Sequence, residues 1–308
     1  MRCVGSHIAP VLTVIFMLAA CGGKVGNKNI VQETPTAGSI QISVDESFKP
    51  VIDAEIKVFT SSFPNAKLQV HYKSEAACFS DLAADSTRMI IVTRGLSKEE
   101  EKYYLDLIHF VPVYGKLAYD AIAVIVNNAS KDSLLTMSDI TALLESKGTS
   151  SKQVVMDGVT ATSTVRYAMD SILRGRPLGK QVMAARSSEA VINFVAKNLD
   201  AIGFIGVSWI GDQDDPDQLA YLEKVKVVAV KCEGCAEEAY LRPYQANIAL
   251  KRYPMIRGLF YILKEDFKGV GNNFVNFLQF ERGQLIFRRA YLMPSRMSFE
   301  IRNMQITN

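Results

Sequence analysis

Three short polar loops hold the residues of this chain best suited to chemistry: Asp45-Glu46-Ser47-Phe48, Thr93-Arg94-Gly95, and Thr160-Ala161-Thr162-Ser163-Thr164-Val165-Arg166. Each follows an apolar run of strand character and precedes a segment of helical character. A helix start offers free backbone N–H groups and a partial positive charge. Hydroxyls placed there can donate to an anion, and an arginine can grip an oxyanion through two parallel N–H bonds. Several such loops meeting at the carboxyl ends of strands would form an anion pocket. Each hydroxyl could equally do no more than cap its own helix. The recurrence of the pattern, with two arginines, is what points to a ligand. Ser47, Thr93, Ser163 and Thr164 are the candidate donors, and Arg94 and Arg166 the candidate cations.

The elements that must position these loops can be read from hydrophobic spacing. Ile40, Ile42 and Val44 alternate as a strand, and Ile52, Ile56, Phe59 and Phe63 fall on one helical face. Leu68, Val70 and Tyr72 predict a second strand, Ser74 to Leu82 a short helix, and Met89 to Val92 a compact strand. Ser97 with Glu100 is a capping box opening a helix to Leu107. Farther on, strands are expected at 121–126, 154–156, 202–207, 225–230, 248–250 and 259–263. Helices are expected at 138–144, 164–173, 188–197, 274–280 and 285–291. Strands alternating with helices imply open α/β sheets.

The chain has 308 residues, a net charge of +3 and 48% hydrophobic residues, an ordinary globular balance that argues for neither nucleic acid nor a membrane surface as partner. There is no Walker loop, GxGxxG or HExxH, and Gly206-Val-Ser208-Trp-Ile-Gly211 is one residue too long for a nucleophile elbow. With only His71 and His109 beyond the first residues, an enzyme is not expected, nor is a metal or cofactor. Residues 1–20 read as a signal peptide, with an apolar run at 8–20 too short to span a bilayer comfortably. Leu18-Ala19-Ala20-Cys21 looks like a bacterial lipobox, which makes Cys21 a lipidation site, and residues 21–38 read as a flexible tether. The expected location is the cell envelope, held by the lipid anchor alone. Cys232-Glu-Gly-Cys235 reads as a local disulfide.

Four segments together resemble a known family. Val44-Asp45-Glu46-Ser47-Phe48-Lys49-Pro50 looks like the first-strand Ser-Thr-Phe-Pro loop of phosphate ABC-transporter substrate-binding proteins. Asp157-Gly158 through Ser163-Thr164-Val165-Arg166-Tyr167 resembles their Asp-Gly-Ser-Gly-Thr segment, and Ala201-Ile202-Gly203-Phe204-Ile205-Gly206 their Ala-Ile-Gly-Tyr strand. Pro254-Met255-Ile256-Arg257 with Leu259-Phe260-Tyr261-Ile262 is similar to their return strand, and the likeness runs over about residues 39 to 295.

The resemblance implies an α/β, two-lobed type II periplasmic-binding-protein fold, each lobe a mixed sheet flanked by helices, with the ligand cleft between them. Lobe 1 would comprise residues 39–117 and 245–308, and lobe 2 residues 118–244. It also implies a monomer that captures phosphate or a similar oxyanion for an ABC permease. Ser47 and Phe48 match a hydroxyl and backbone N–H of the family site, Ser163 and Thr164 its second-lobe donors, and Ser74 lies near its third loop. The family's proton-accepting Asp after the third strand is replaced by Thr93-Arg94, so Glu75, Asp45 or Glu46 must supply any acceptor. These departures leave a second expectation: an interaction or sensor lipoprotein that kept the fold and lost the ligand.

Overall fold

Alternating Ile40, Ile42 and Val44 form the spine of β1 (Gly38–Asp45), and all three are fully buried. The computed structural model describes residues 33–84, 87–147, 152–158 and 162–296. The signal segment 1–20, Cys21, most of the expected tether, and Thr160-Ala161 lie outside the described residues. After β1 a 3₁₀ turn, Glu46–Phe48, leads into α1 (Lys49–Ser62). Pro50 stands in the first turn of α1, where its missing N–H costs nothing. Phe59 on its inner face meets Phe274 and Phe277 with ring centroids 4.9 and 5.5 Å apart. A buried aromatic of this kind contributes about 1.5–3 kcal/mol.

The chain continues through β2 (Ala66–Lys73), α2 (Glu75–Ala83), β3 (Met89–Val92) and α3 (Lys98–Ile108). The Ser97–Glu100 capping box expected from the sequence is present at the start of α3. Next come β4 (Val113–Asn127), β5 (Leu134–Leu135), α4 (Met137–Leu144), β6 (Gln153–Met156) and α5 (Ser163–Tyr167), which runs into a π turn at Ala168–Ile172. Then follow β7 (Val182–Ala184), α6 (Ser188–Lys197), β8 (Ala201–Gly206), α7 (Pro216–Leu222), β9 (Val225–Val227), β10 (Ala229–Lys231) and β11 (Tyr240–Leu241). The described chain closes with α8 (Gln245–Ala249), β12 (Ile256–Leu263), α9 (Val270–Gln279), α10 (Glu281–Arg289) and β13 (Met293–Pro294).

Among the described residues the main sheet runs β2-β1-β3-β12-β4-β8-β6-β7. β1 pairs in parallel with β2 and β3, and β6 in parallel with β7 and β8. The long strand β4 joins the two halves. Its first part pairs antiparallel with β12 up to Ala121, and its second part pairs with β8 from Ile122. These halves are the sheets of two lobes. The second part of β4 is covered on both faces, because Ile122, Val124 and Val126 join one core while Ala123 and Ile125 join another with α6. That is why the run reads as continuously apolar rather than alternating.

Three expectations are corrected. Residues 113–120 belong to β4 although Gly115, Lys116 and Asp120 break their apolar pattern. The expected strand at 225–230 is divided at Val228 between two sheets. The expected strand at 248–250 is part of helix α8 and the turn after it. Only Ile248 of that run is buried, and three residues are too few to fix a period. The Cys232–Cys235 disulfide is formed in the turn between β10 and β11. At the opposite end of β1 from the loops, the Glu33 carboxylate accepts from Arg88 at 3.0 Å and from the Val270 N–H at 3.0 Å, tying the start of the described chain to α9. Among the described residues no helix is long and apolar enough to cross a membrane.

Candidate functional site

The carboxyl ends of β1, β3, β6 and β8 point to one region, and there the polar loops of the two lobes meet. The Ser47 hydroxyl, in the 3₁₀ turn after β1, lies 3.2 Å from Asp157 Oδ2, 3.4 Å from Ser163 Oγ and 3.5 Å from Thr164 Oγ1. Asp157, just past β6, also accepts from Thr162 at 3.1 Å and from Thr164 at 3.2 Å. Into this cluster β12 sends Arg257. Its Nη1 donates to Ser163 Oγ at 2.9 Å and to Thr164 Oγ1 at 3.4 Å, and its Nε donates to Asp120 Oδ2 at 2.7 Å. Arg257 and Asp120 are direct cross-strand partners on β12 and β4. Phe48 packs its buried ring 5.0 Å from the Arg257 guanidinium. Gly206, ending β8, lets these parts approach, since a Cβ there would stand 3.1 Å from both Arg257 Nη2 and the Ser47 carbonyl.

A second cluster borders the first. The Glu75 carboxylate, at the start of α2, accepts from the Thr93 N–H at 2.9 Å and the Thr93 hydroxyl at 2.5 Å. Arg166, on α5 of the other lobe, donates from Nε to Glu75 at 2.5 Å and from Nη2 to the Thr93 hydroxyl at 2.6 Å. A third contact spans the lobes at Glu46, whose carboxylate accepts from the Ser188 hydroxyl at 2.9 Å and from the Ser188 N–H at the start of α6. An acid over the first N–H groups of a ten-residue helix is a favourable charge–dipole contact.

The cluster is rich in buried acid. Asp45, Asp120 and Asp157 surround the buried cation Arg257, and all are under 10% exposed. Burial pushes Asp45 up to about 6 against the pull of Arg257, with Glu75 and Asp157 adding to the rise. Burial also lifts Glu46 to about 7, helped by the nearby Asp157 charge. Asp157 and Asp120 are raised by burial too, opposed by Arg257. Glu75 goes the other way. Burial alone would raise it, but bonding to Arg166 and Thr93 holds it below the usual carboxylate range. One buried polar atom of the cluster, Arg257 Nη2, has no hydrogen-bond partner among the described residues. Among the described residues no His, Cys, Asp and Glu side chains gather as a metal cage.

The residues singled out from the sequence divide into groups. Ser47, Ser163 and Thr164 come together across the lobes, with the Phe48 ring against Arg257. Thr93, Glu75 and Arg166 meet in the adjoining cluster. Ser74 caps α2, accepting from the Ala77 N–H at 3.4 Å. Arg94 borders the second cluster. Its guanidinium donates twice to Glu100, at 2.7 and 2.8 Å, and lies 3.8 Å over the Phe79 ring. Arg94 is thus engaged with Glu100 and not with the Ser47–Ser163–Thr164 cluster, whose buried cation is Arg257. Arg257 stands among the sequence expectations only within the segment similar to the family's return strand, and Asp120 not at all. The available signal was a lone arginine inside the apolar strand Ile256–Leu263 and a lone aspartate heading the apolar run 121–126.

A two-lobed α/β molecule whose hydroxyls and buried charges face each other at strand ends has the architecture of a cleft-type binding protein. The chain belongs to the PBP superfamily, whose domain model matches residues 29–281. No curated protein matches it. Among solved structures it is similar to one described as a phosphate ABC transporter substrate-binding protein with bound phosphate, from Clostridium perfringens. That likeness has 21% identity and TM-score 0.68, and covers 84% of this chain and 100% of that one. It is also similar to an ABC-type phosphate transport receptor from Vibrio cholerae, at 18% identity and TM-score 0.61, covering 82% and 99% of the two chains. PstS from Borrelia burgdorferi matches at 17% identity and TM-score 0.51, covering 83% and 98%.

Proposed function

We propose that this protein is an envelope binding protein that captures phosphate, or a closely similar protonated oxyanion, and presents it to an ABC permease. The observation that carries this reading is Arg257, a buried guanidinium joined to the Ser163 and Thr164 hydroxyls with Ser47 facing them and one nitrogen unpartnered. An oxyanion would enter by parting Ser47 from Asp157, Ser163 and Thr164, exchanging their mutual contacts for bonds to its own oxygens. The surrounding acids set its protonation. A fully ionised anion would be repelled by Asp45 and Asp157, whereas a protonated phosphate can donate its O–H groups to them. The site thus favours phosphate over sulfate. Likeness to phosphate-binding structures and the shared family support the reading. In the same proposal Cys21 carries the lipid anchor, residues 21–38 form the tether, and the lobes divide as 39–117 with 245–308 against 118–244 in a monomer.

A thermal melt of ligand-stripped protein tests it. A ligand at about 100 times its Kd adds about 2.7 kcal/mol, a rise of a few degrees at this size. Millimolar phosphate should raise the melting temperature and sulfate should not. A second reading, an interaction or sensor protein without a small ligand, is favoured by one observation: Ser47, Asp157, Ser163 and Thr164 already bond to each other across the lobes. A melt that moves with neither anion would select it.

A further inference from the structure

Beside the Thr93–Glu75–Arg166 cluster lies an open cavity of about 440 Å³, lined in part by Phe79, Arg94, Val165 and Met169 together with Glu75 and Arg166. We propose that this cavity receives an organic substituent of the ligand, so that the protein takes a monosubstituted phosphate, an ester or a phosphonate, with a compact uncharged apolar or aromatic group. This rests on the oxyanion reading above and narrows it.

The cavity and the central donors are neighbours through the chain itself. Val165 follows Thr164 on α5, and Glu75 and Arg166 line the cavity. In the proposed lobe division Glu75 and Arg166 come from opposite lobes, so an opening of the lobes would part this pair. An inorganic anion needs donors only and gains nothing from Phe79, Val165 and Met169. The volume falls within the range of about 300–1,000 Å³ typical of pockets for small organic molecules. The wall is also held in place. The Arg94 guanidinium over Phe79 is fixed by two bonds to Glu100 and one to the Gly95 carbonyl. The cations lining the cavity are matched, Arg94 by Glu100 and Arg166 by Glu75 and, at 3.5 Å, by Asp170. It therefore offers apolar surface to a neutral group and no free cation to a second anion.

Calorimetric titration of ligand-stripped protein at about pH 5, below the second pKa of about 6 of a phosphate monoester so that both anions keep an O–H, with inorganic phosphate and with phenyl phosphate tests the proposal, in the natural protein and in Ala76→Trp. Ala76 is exposed on the cavity wall, so the indole fills the cavity without disturbing the core. Phenyl phosphate should bind about tenfold tighter than inorganic phosphate. Ala76→Trp should erase that advantage while leaving the affinity for inorganic phosphate within about twofold, which also reports that the variant is folded. If inorganic phosphate binds and phenyl phosphate binds no tighter, or if the preference survives Ala76→Trp, this inference fails and the oxyanion reading stands. If neither compound binds, both fail.

Discussion

Arg257 and Arg94 sit about one strand apart in the sheet order, β12 beside β3, in opposite settings. The Arg94 side chain is 35% exposed and is satisfied by one nearby carboxylate, Glu100, which also closes the capping box of α3. The Arg257 side chain is 3% exposed, shares its space with three buried aspartates and leaves one nitrogen unpartnered. Exposed, balanced charge of the first kind is cheap to arrange and contributes little. Buried, unbalanced charge of the second kind is costly, so its persistence marks a place kept for something other than stability. In the proposed reading the rim supports the cleft and the centre binds the anion.

The difference can be broken most severely at Arg257. Arg257→Ala leaves Asp120 buried without its partner and should lower unfolding free energy by about 3–5 kcal/mol, read as a shift of the urea midpoint. A loss no larger than that of a surface residue would contradict the buried-pair assignment. Next comes Asp157→Asn, which replaces an acceptor with a group that can also donate. Phosphate affinity should fall about tenfold and the discrimination against sulfate should shrink, in competition titrations. Unchanged discrimination would remove Asp157 from the site.

The pH response separates the regions more gently. Asp45 and Glu46 are both raised in the folded protein, so the stability they allow is fully present below the ordinary carboxylate range. It is lost as pH rises through about 6 and about 7. Melting temperature should therefore fall between pH 5 and pH 7.5. Glu46→Gln should flatten that fall and stabilise the protein by about 1–2 kcal/mol at pH 7.5. A steeper fall in the variant would mean that the Ser188 contact outweighs burial and holds Glu46 charged. The smallest effect is expected at the rim: Arg94→Ala should cost about 0.5–1 kcal/mol in a denaturant titration.

Local features were legible in the sequence. Helix α6 begins and ends where its apolar spacing places it, α3 carries its capping box, and the cysteines three residues apart are bonded. These depend on neighbours within a turn or two. The three polar loops were also legible as loops between strands and helices, because hydroxyls and apolar runs alternate plainly. What was not legible was pairing over distance. Arg257 and Asp120 are 137 residues apart and meet only through the register of β12 on β4. Arg94 drew attention by standing at a strand end, although Glu100 six residues on was a ready local partner. The π turn at Ala168–Ile172 is indistinguishable in sequence from continuing helix, since its residues keep ordinary helical spacing.

The most direct test is the phosphate affinity of two matched variants, Arg257→Gln and Arg94→Gln, with circular dichroism to establish that both are folded and Ser163→Ala as a second probe of the centre. The account predicts that Arg94→Gln binds within about twofold of the natural protein while Arg257→Gln and Ser163→Ala lose about tenfold or more. Loss of binding in Arg94→Gln with both central variants intact would place the anion at the rim and contradict the assignment.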